Sequence, residues 1–168
     1  MAPLIFVIGG ARSGKSRHAE RLIAEHNPPW IYLATAEALD DEMGERIARH
    51  RARRDERWQV IEAPHALADA IRQAPGDRPL LLDCLTLWLS NRLLAAADLE
   101  QEIATLCDVL ETRSGATIVV SNEVGSGIVP ENALARRFRD LAGIANQLLA
   151  ARADRVDLIA AGLPLRLK

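Results

Sequence analysis

The amino-acid order predicts one α/β domain over residues 1–168, a mainly parallel β-sheet with helices on both faces. Three observations carry this. Short continuous apolar runs recur along the chain, as expected of strands buried on both faces. Stretches with helical spacing separate them, and such alternation implies parallel strands covered by helices. Turn signals fall at the joins, at Pro28-Pro29, Pro75-Gly76-Asp77 and Ser114-Gly115.

In order, the first strand is Leu4-Ile5-Phe6-Val7-Ile8, which leads into a glycine-rich loop and a helix expected over Ser16–Glu25. Trp30–Ala34 reads as the second strand, Asp40–Arg54 as a charged helix and Trp58–Glu62 as a shorter strand. A helix over Ala66–Gln73 precedes the run Leu80-Leu81-Leu82, which ends in Asp83. Helices follow over Leu85–Leu94 and Leu99–Glu111, then a strand at Thr117–Val120. Asn132–Arg152 repeats Leu134, Phe138, Leu141, Ala145 and Leu148 at helical spacing, and Arg155–Ala160 closes the sheet.

A chain of 168 residues can enclose one continuous core. Its net charge of -2 argues against a dominant electrostatic role on nucleic acid or a membrane surface. No apolar run approaches the ~18 residues of a membrane span, and the first residues lack the pattern of a signal peptide. A cytoplasmic enzyme is the expectation. Cys84 and Cys107 lie far apart in apolar surroundings, which suits core thiols better than a disulfide framework or a zinc site. Against 19 arginines there are only two lysines, Lys15 and Lys168. Lys15 therefore resists the chain's preference and points to a task that arginine cannot do.

That lysine stands in Gly9-Gly10-Ala11-Arg12-Ser13-Gly14-Lys15-Ser16, a full G-x-x-x-x-G-K-[ST] match between a strand and a helix. Glycines let successive N–H groups curl around phosphate oxygens. The helix start adds unpaired donors and partial positive charge. Lys15 would reach the β- and γ-phosphates of ATP or GTP, and the Ser16 hydroxyl would bind Mg2+. The fold is thus P-loop NTPase-like. Such a loop also needs an acid at the end of a neighbouring strand, and Asp83 is the candidate metal ligand. A cap for the helix from Leu85 is the other reading of Asp83.

In the charged helix, counting by fours aligns Arg46, His50 and Arg54, while Asp41, Glu45, Arg49 and Arg53 form another line. A solvated, salt-bridged helix with an incidental histidine fits this pattern. So does a nucleophile. Neighbouring cations favour a neutral imidazole, and the same arginines can hold a triphosphate against it. His18, His26 and His65 read as structural.

Taken together, these segments resemble the bifunctional adenosylcobinamide kinase/adenosylcobinamide-phosphate guanylyltransferase family of cobalamin biosynthesis. The resemblance spans nearly the whole chain: Gly9 to Arg17, Tyr32-Leu33-Ala34-Thr35-Ala36, Leu39 to Met43, Arg46-Ile47-x-x-His50, Asp83 to Trp88, and Asn122-Glu123-Val124-Gly125-Ser126-Gly127-Ile128-Val129-Pro130. It implies phosphorylation of the aminopropanol hydroxyl of adenosylcobinamide with ATP or GTP. Transfer of GMP from GTP to that phosphate follows, through a guanylylated His50, and pyrophosphate leaves. It further implies a homotrimer, and nucleotide contacts at Ala34, Thr35, Ala36, Arg51, Ala52, Arg53, Arg54, Glu62 and Asp83. Asp55 stands where the family often has proline. A simple P-loop kinase without a covalent intermediate is the competing function. A regulatory GTPase would need an Asn-Lys-x-Asp motif, which lysines at 15 and 168 alone cannot supply.

Overall fold

A computed structural model describes residues 2–37, 41–52 and 54–168; at positions 42, 43, 46 and 49–51 it describes the backbone alone. Arg53, Leu39 and Asp40 thus lie outside the described residues, as do the side chains of His50 and Arg51. The elements run β1 (Leu4–Gly9), α1 (Lys15–Ile23), β2 (Trp30–Ala34), α2 (Asp41–Ala52), β3 (Trp58–Glu62), α3 (Leu67–Gln73) and β4 (Leu80–Asp83). They continue with α4 (Leu85–Leu94), α5 (Leu99–Glu111), β5 (Thr117–Asn122), α6 (Ala133–Arg152), β6 (Arg155–Ala160) and β7 (Leu163–Arg166).

Among the described residues seven strands form one sheet in the order β3-β2-β4-β5-β1-β6-β7. The first six in chain order pair in parallel, and β7 returns antiparallel along β6. Alternation along each strand sorts the core onto two faces. On one, Ile5, Val7, Tyr32, Leu81, Ile118 and Val120 pack under Ala19, Leu22 and Ile23 of α1. On the other, Phe6, Leu33, Leu82 and Val119 pack under α3 to α6, through residues such as Ile71, Trp88 and Leu106. Each fully buried aliphatic side chain contributes about 1.5–3 kcal/mol of transfer free energy. The predicted helices on both faces are present.

Local rules explain most boundaries. Asn132 caps α6, its Oδ1 accepting from the N–H groups of Leu134 and Ala135 at 2.8 and 3.1 Å. The turn signals at Gly76 and Ser114-Gly115 meet in space, because Gly76 O accepts from both of those amides, at 3.1 and 2.8 Å. Three expectations need correction. α1 ends at Ile23, so His26 lies in the following turn, where its carbonyl accepts from Trp30 Nε1 at 2.8 Å. β7 was not expected, since Leu163-Pro164-Leu165-Arg166 contains a proline. It is an edge strand, where a missing N–H is tolerated. Its signal was the turn before it: Ala161 and Gly162 take φ of 51° and 81°, the doubly positive pattern of a tight hairpin. Third, β4 is not the neighbour of β1, because β5 pairs with both. Strands close in sequence need not be adjacent in a sheet, so Asp83 stands two strands from the phosphate loop.

Candidate functional site: a phosphate loop and the strand ends beside it

β1 delivers the chain to a loop that closes on itself. Ser13 N–H donates to Gly10 O at 3.3 Å, Arg12 takes φ 56° and Gly14 takes φ 95° just before α1. Two glycines here are obligatory. A Cβ on Gly9 would lie 2.6 Å from Ile159 O and from Ser13 Oγ, and one on Gly14 would add strain at positive φ. Gly10, Ala11 and Arg12 are exposed at the lip of the loop. Lys15 is only 8% exposed, and its Nζ donates to Gly10 O at 3.0 Å, which folds the ammonium over the loop. Ser13 Oγ is buried there with no hydrogen-bond partner among the described residues. The first turn of α1 has no acidic residue, so the positive helix end is not neutralised from within.

Contacts from elsewhere brace this loop. Gly162 N–H, at the tip of the β6–β7 hairpin, donates to Ser13 O at 2.8 Å, and Glu123 N–H donates to Gly9 O at 3.0 Å. Behind the loop, the buried Asp157 carboxylate joins α1 to the hairpin. It accepts from His18 Nε2 at 2.8 Å, Arg155 Nη2 at 2.7 Å and Arg166 Nε at 2.8 Å. Arg21 Nη2 lies 3.2 Å from His18 Nδ1. A guanidinium can only donate, so Nδ1 offers its lone pair and Nε2–H faces Asp157. Burial pushes the Asp157 carboxyl up, but hydrogen bonds from Arg155, His18 and Arg166 outweigh it and hold the group below the usual carboxylate range. His18 is structural, as expected.

The other site residues lie along the same edge of the sheet. Parallel pairing aligns Glu62 with Ala34, Ala34 with Asp83, and Gly9 with Asn122. Alternation with Tyr32, Leu81, Ile118 and Val120 turns Ala34, Asp83 and Asn122 to the α1 face. Asp83 does not cap α4, whose N-cap is Cys84, with no side-chain bond to the helix amides. No described donor reaches its carboxylate. Its charge is nonetheless felt: burial and then Asp83 push up both the Tyr32 hydroxyl and the Cys84 thiol, while Lys15 pulls the thiol back. Lys15, Cys84 and Asp83 therefore share one electrostatic neighbourhood. A hard divalent cation takes oxygen ligands and leaves places for substrate phosphates. A half-buried carboxylate and a Ser16 hydroxyl, neither held by another described residue, fit that demand.

Thr35 is wholly buried, its hydroxyl donating to Cys84 O at 2.7 Å and accepting from Cys84 N–H at 2.9 Å. Asn91 Nδ2 donates to Thr35 O at 2.9 Å and to Pro64 O at 3.0 Å. Thr35 thus holds β2 to β4 and leaves Ala34 and Ala36 to line the edge. Glu62 is exposed and lies four strands from Gly9, on the order of 19 Å at ordinary strand spacing. The structure brings it beside Ala34, not to the phosphate loop. Arg54, just past α2, places its guanidinium carbon 3.2 Å from the Tyr32 ring centroid and 5.9 Å from that of Trp58. The backbone of α2 carries His50, Arg51 and Ala52 in its last turn, one residue position short of the undescribed Arg53. Sequence reading missed the cation–π seat of Arg54 and the side-chain role of Asn122. The aromatic residues Tyr32 and Trp58 in two predicted strands flanking the charged helix were the available signal for the first.

Comparison with known proteins agrees with this geometry. A family model described as cobinamide kinase / cobinamide phosphate guanyltransferase matches residues 5–167. The bifunctional adenosylcobalamin biosynthesis protein CobP of Pseudomonas aeruginosa is 51% identical over 165 residues, covering 96% of this chain and 95% of that protein. The corresponding CobU of Salmonella typhimurium is 42% identical over 182 residues, covering 98% and 99%. Among solved structures, the RadB recombinase superposes with a TM-score of 0.54 at 17% identity, covering 94% of this chain and 74% of that one. A KaiC-like protein of Pyrococcus horikoshii gives 0.53 at 14%, covering 93% and 71%. At such identities these two speak for the fold alone, that of P-loop NTPases.

Proposed function

The chain belongs to the cobinamide kinase / cobinamide phosphate guanyltransferase family, and from that premise we propose how its residues divide the two reactions. It is a bifunctional kinase and guanylyltransferase of cobalamin biosynthesis. The observation that carries the residue assignment is the alignment of the Gly9–Ser16 loop with Asp83 on one face and one edge of the sheet. Lys15 and the loop amides hold the β- and γ-phosphates of ATP or GTP. Ser16 and Asp83 would hold Mg2+, which when bound supplies positive charge to the phosphates.

In the kinase half, the hydroxyl oxygen of adenosylcobinamide attacks the γ-phosphorus. The bond from that phosphorus to the β,γ-bridging oxygen breaks, the nucleoside diphosphate leaves and the hydroxyl proton is released. In the guanylyl half, an imidazole nitrogen of His50 attacks the α-phosphorus of GTP, and pyrophosphate leaves with the α,β-bridging oxygen. A phosphate oxygen of adenosylcobinamide phosphate then attacks that phosphorus, the N–P bond breaks and His50 is regenerated. Arg51, Arg53 and Arg54 steady the phosphates around His50, and Glu62 with Ala34 and Ala36 borders the nucleoside, while the buried Thr35 holds that edge in place without touching it. Residues 1–168 act as one catalytic domain, in the cytoplasm and as a homotrimer; light scattering at three times the 18.4 kDa chain mass is the expected value.

Intact-protein mass after incubation with GTP and Mg2+ tests the assignment. An acid-labile GMP adduct on the wild type, missing from His50→Ala, is expected. An adduct that persists in the variant moves the nucleophile elsewhere.

A further inference from the structure

The kinase half so far lacks any residue that handles the attacking hydroxyl. The strand between the phosphate loop and Asp83 supplies one. β5 pairs with β1 on one side and β4 on the other, and its last residue, Asn122, is in register with Gly9. Asn122 follows Ile118 and Val120 on the α1 face, at the end of the strand that lies between those carrying Gly9 and Asp83.

Its amide is held in one orientation. Asn122 Nδ2 donates to Thr86 Oγ1 at 2.6 Å and lies 3.9 Å from Cys84 Sγ, which in turn is 3.2 Å from Thr86 Oγ1. Both amide hydrogens are thereby turned toward the start of α4. Asn122 Oδ1 has no donor among the described residues, and Asn122 is only half-buried at the end of its strand, so this acceptor is left for a ligand to use. The strand end behind it is clamped. Ser121 Oγ donates to Asn146 Oδ1 at 2.7 Å, and Asn146 Nδ2 donates to Asn122 O at 3.2 Å, from the buried side of α6. The next amide, Glu123 N–H, bonds Gly9 O and sets the distance to the phosphate loop. Glu123 itself is turned away, its Oε1 accepting from Gly125 N–H and Ser126 N–H in its own turn.

We propose that Asn122 is a catalytic residue of the phosphoryl-transfer half: its Oδ1 accepts the hydrogen bond of the substrate hydroxyl and aims that oxygen's lone pair at the γ-phosphorus. This rests on the assignment of the phosphate loop and Asp83 to the kinase reaction. The amide does not take the proton, which leaves to solvent or to the transferred phosphoryl group. Catalysis by orientation suits phosphoryl transfer, where positioning and charge account for most of the acceleration. Guanylylation of His50 uses a different nucleophile and a different phosphorus, so it does not need Oδ1.

The experiment separates the two half-reactions on one protein. For Asn122→Ala, kcat for γ-phosphoryl transfer to cobinamide is expected to fall about 100-fold with little change in nucleotide KM. Single-turnover formation of the GMP adduct should change less than about 3-fold, since only the orienting contact is lost. Asn122→Asp keeps an acceptor oxygen and should restore kcat to within about 10-fold of wild type. Thr86→Val releases the orienting bond but leaves Oδ1 in place, and should give an intermediate kinase loss of about 10-fold if Asn122→Ala does not fold. Equal losses in both half-reactions, or an unchanged kinase rate, would overturn the proposal. A wild-type enzyme that forms the adduct but never phosphorylates cobinamide would instead overturn the reading on which it rests.

Discussion

The helix after the phosphate loop and the helix that carries His50 are held by different means. α1 has nine residues, of which Lys15, His18, Ala19, Leu22 and Ile23 are buried. It is tied to β6 and β7 through Asp157, and the loop before it is tied to the hairpin tip through Gly162. α2 is longer, with twelve residues, yet none of its described side chains enters either core cluster. The chain just beyond it is seated by Arg54 on the faces of Tyr32 and Trp58. The contrast teaches where rigidity is needed. Phosphate must be received by amides already in place, since their orientation is the catalyst. A nucleophile on α2, as proposed for His50, needs anchoring at its end and does not need a core.

Substitutions at Lys15 and His50 should break the comparison most strongly. Lys15→Ala is expected to reduce both half-reactions by at least about 100-fold, because one charge serves the phosphates in each. His50→Ala should abolish the GMP adduct while γ-phosphoryl transfer stays within a few-fold of wild type. Paired assays on the same preparations check both. If His50→Ala also ended the kinase reaction, the two helices would not be functionally separable.

Stability should divide the regions next. Leu22→Ala, in the core under α1, is expected to cost about 2–5 kcal/mol. Ile47→Ala, on the half-buried side of α2, should cost less than about 1 kcal/mol. Denaturant midpoints with unchanged slopes would establish this, and equal costs would erase the contrast. Asp157→Asn should cost about 3 kcal/mol at neutral pH, since Arg155 and Arg166 lose a buried counter-charge. The sign with pH follows from a folded-state carboxyl held low. Its contribution is present above the ordinary aspartate range and is lost as pH falls through the depressed folded value. The gap between wild type and Asp157→Asn should therefore narrow on acidification below about pH 4, as measured by thermal midpoints across pH.

A modest effect is expected at the anchor of the second helix. Arg54→Ala should lower global stability by about 0.5–2 kcal/mol, the range of a cation–π contact. Guanylylation of His50 should slow more than phosphoryl transfer does. A larger loss in the kinase half would place Arg54 with α1 and sharpen the division differently.

Much of the site was legible before the fold was known, because its demands are local. A phosphate loop needs glycine where no Cβ fits, a lysine of the right reach and a hydroxyl after it, all within eight neighbouring positions from Gly9 to Ser16. Strands buried on both faces show as apolar runs, and the runs at Leu4, Trp30, Leu80, Thr117 and Arg155 all became strands. Asn132 as a helix start and the bounds of α4 and α5 follow from the same short-range chemistry.

What stayed hidden depends on partners far away in the chain. Asp157 reads as one polar residue in a strand until His18, 139 positions earlier, is brought against it. Arg54 reads as one of several helix arginines until Tyr32 and Trp58 lie under it. Asn122 gains meaning only when β5 is inserted between β1 and β4, an order that no local pattern encodes. Backbone preference and hydrophobic periodicity act over a few residues, so the amino-acid order by itself determined the six parallel strands, most helices, the phosphate loop and the family resemblance. Strand order and side-chain pairing are settled by how both sheet faces are buried at once. Tertiary structure alone therefore decided which strand ends became neighbours, and with them the surroundings of Asp83 and the partners of Asn122 and Asp157.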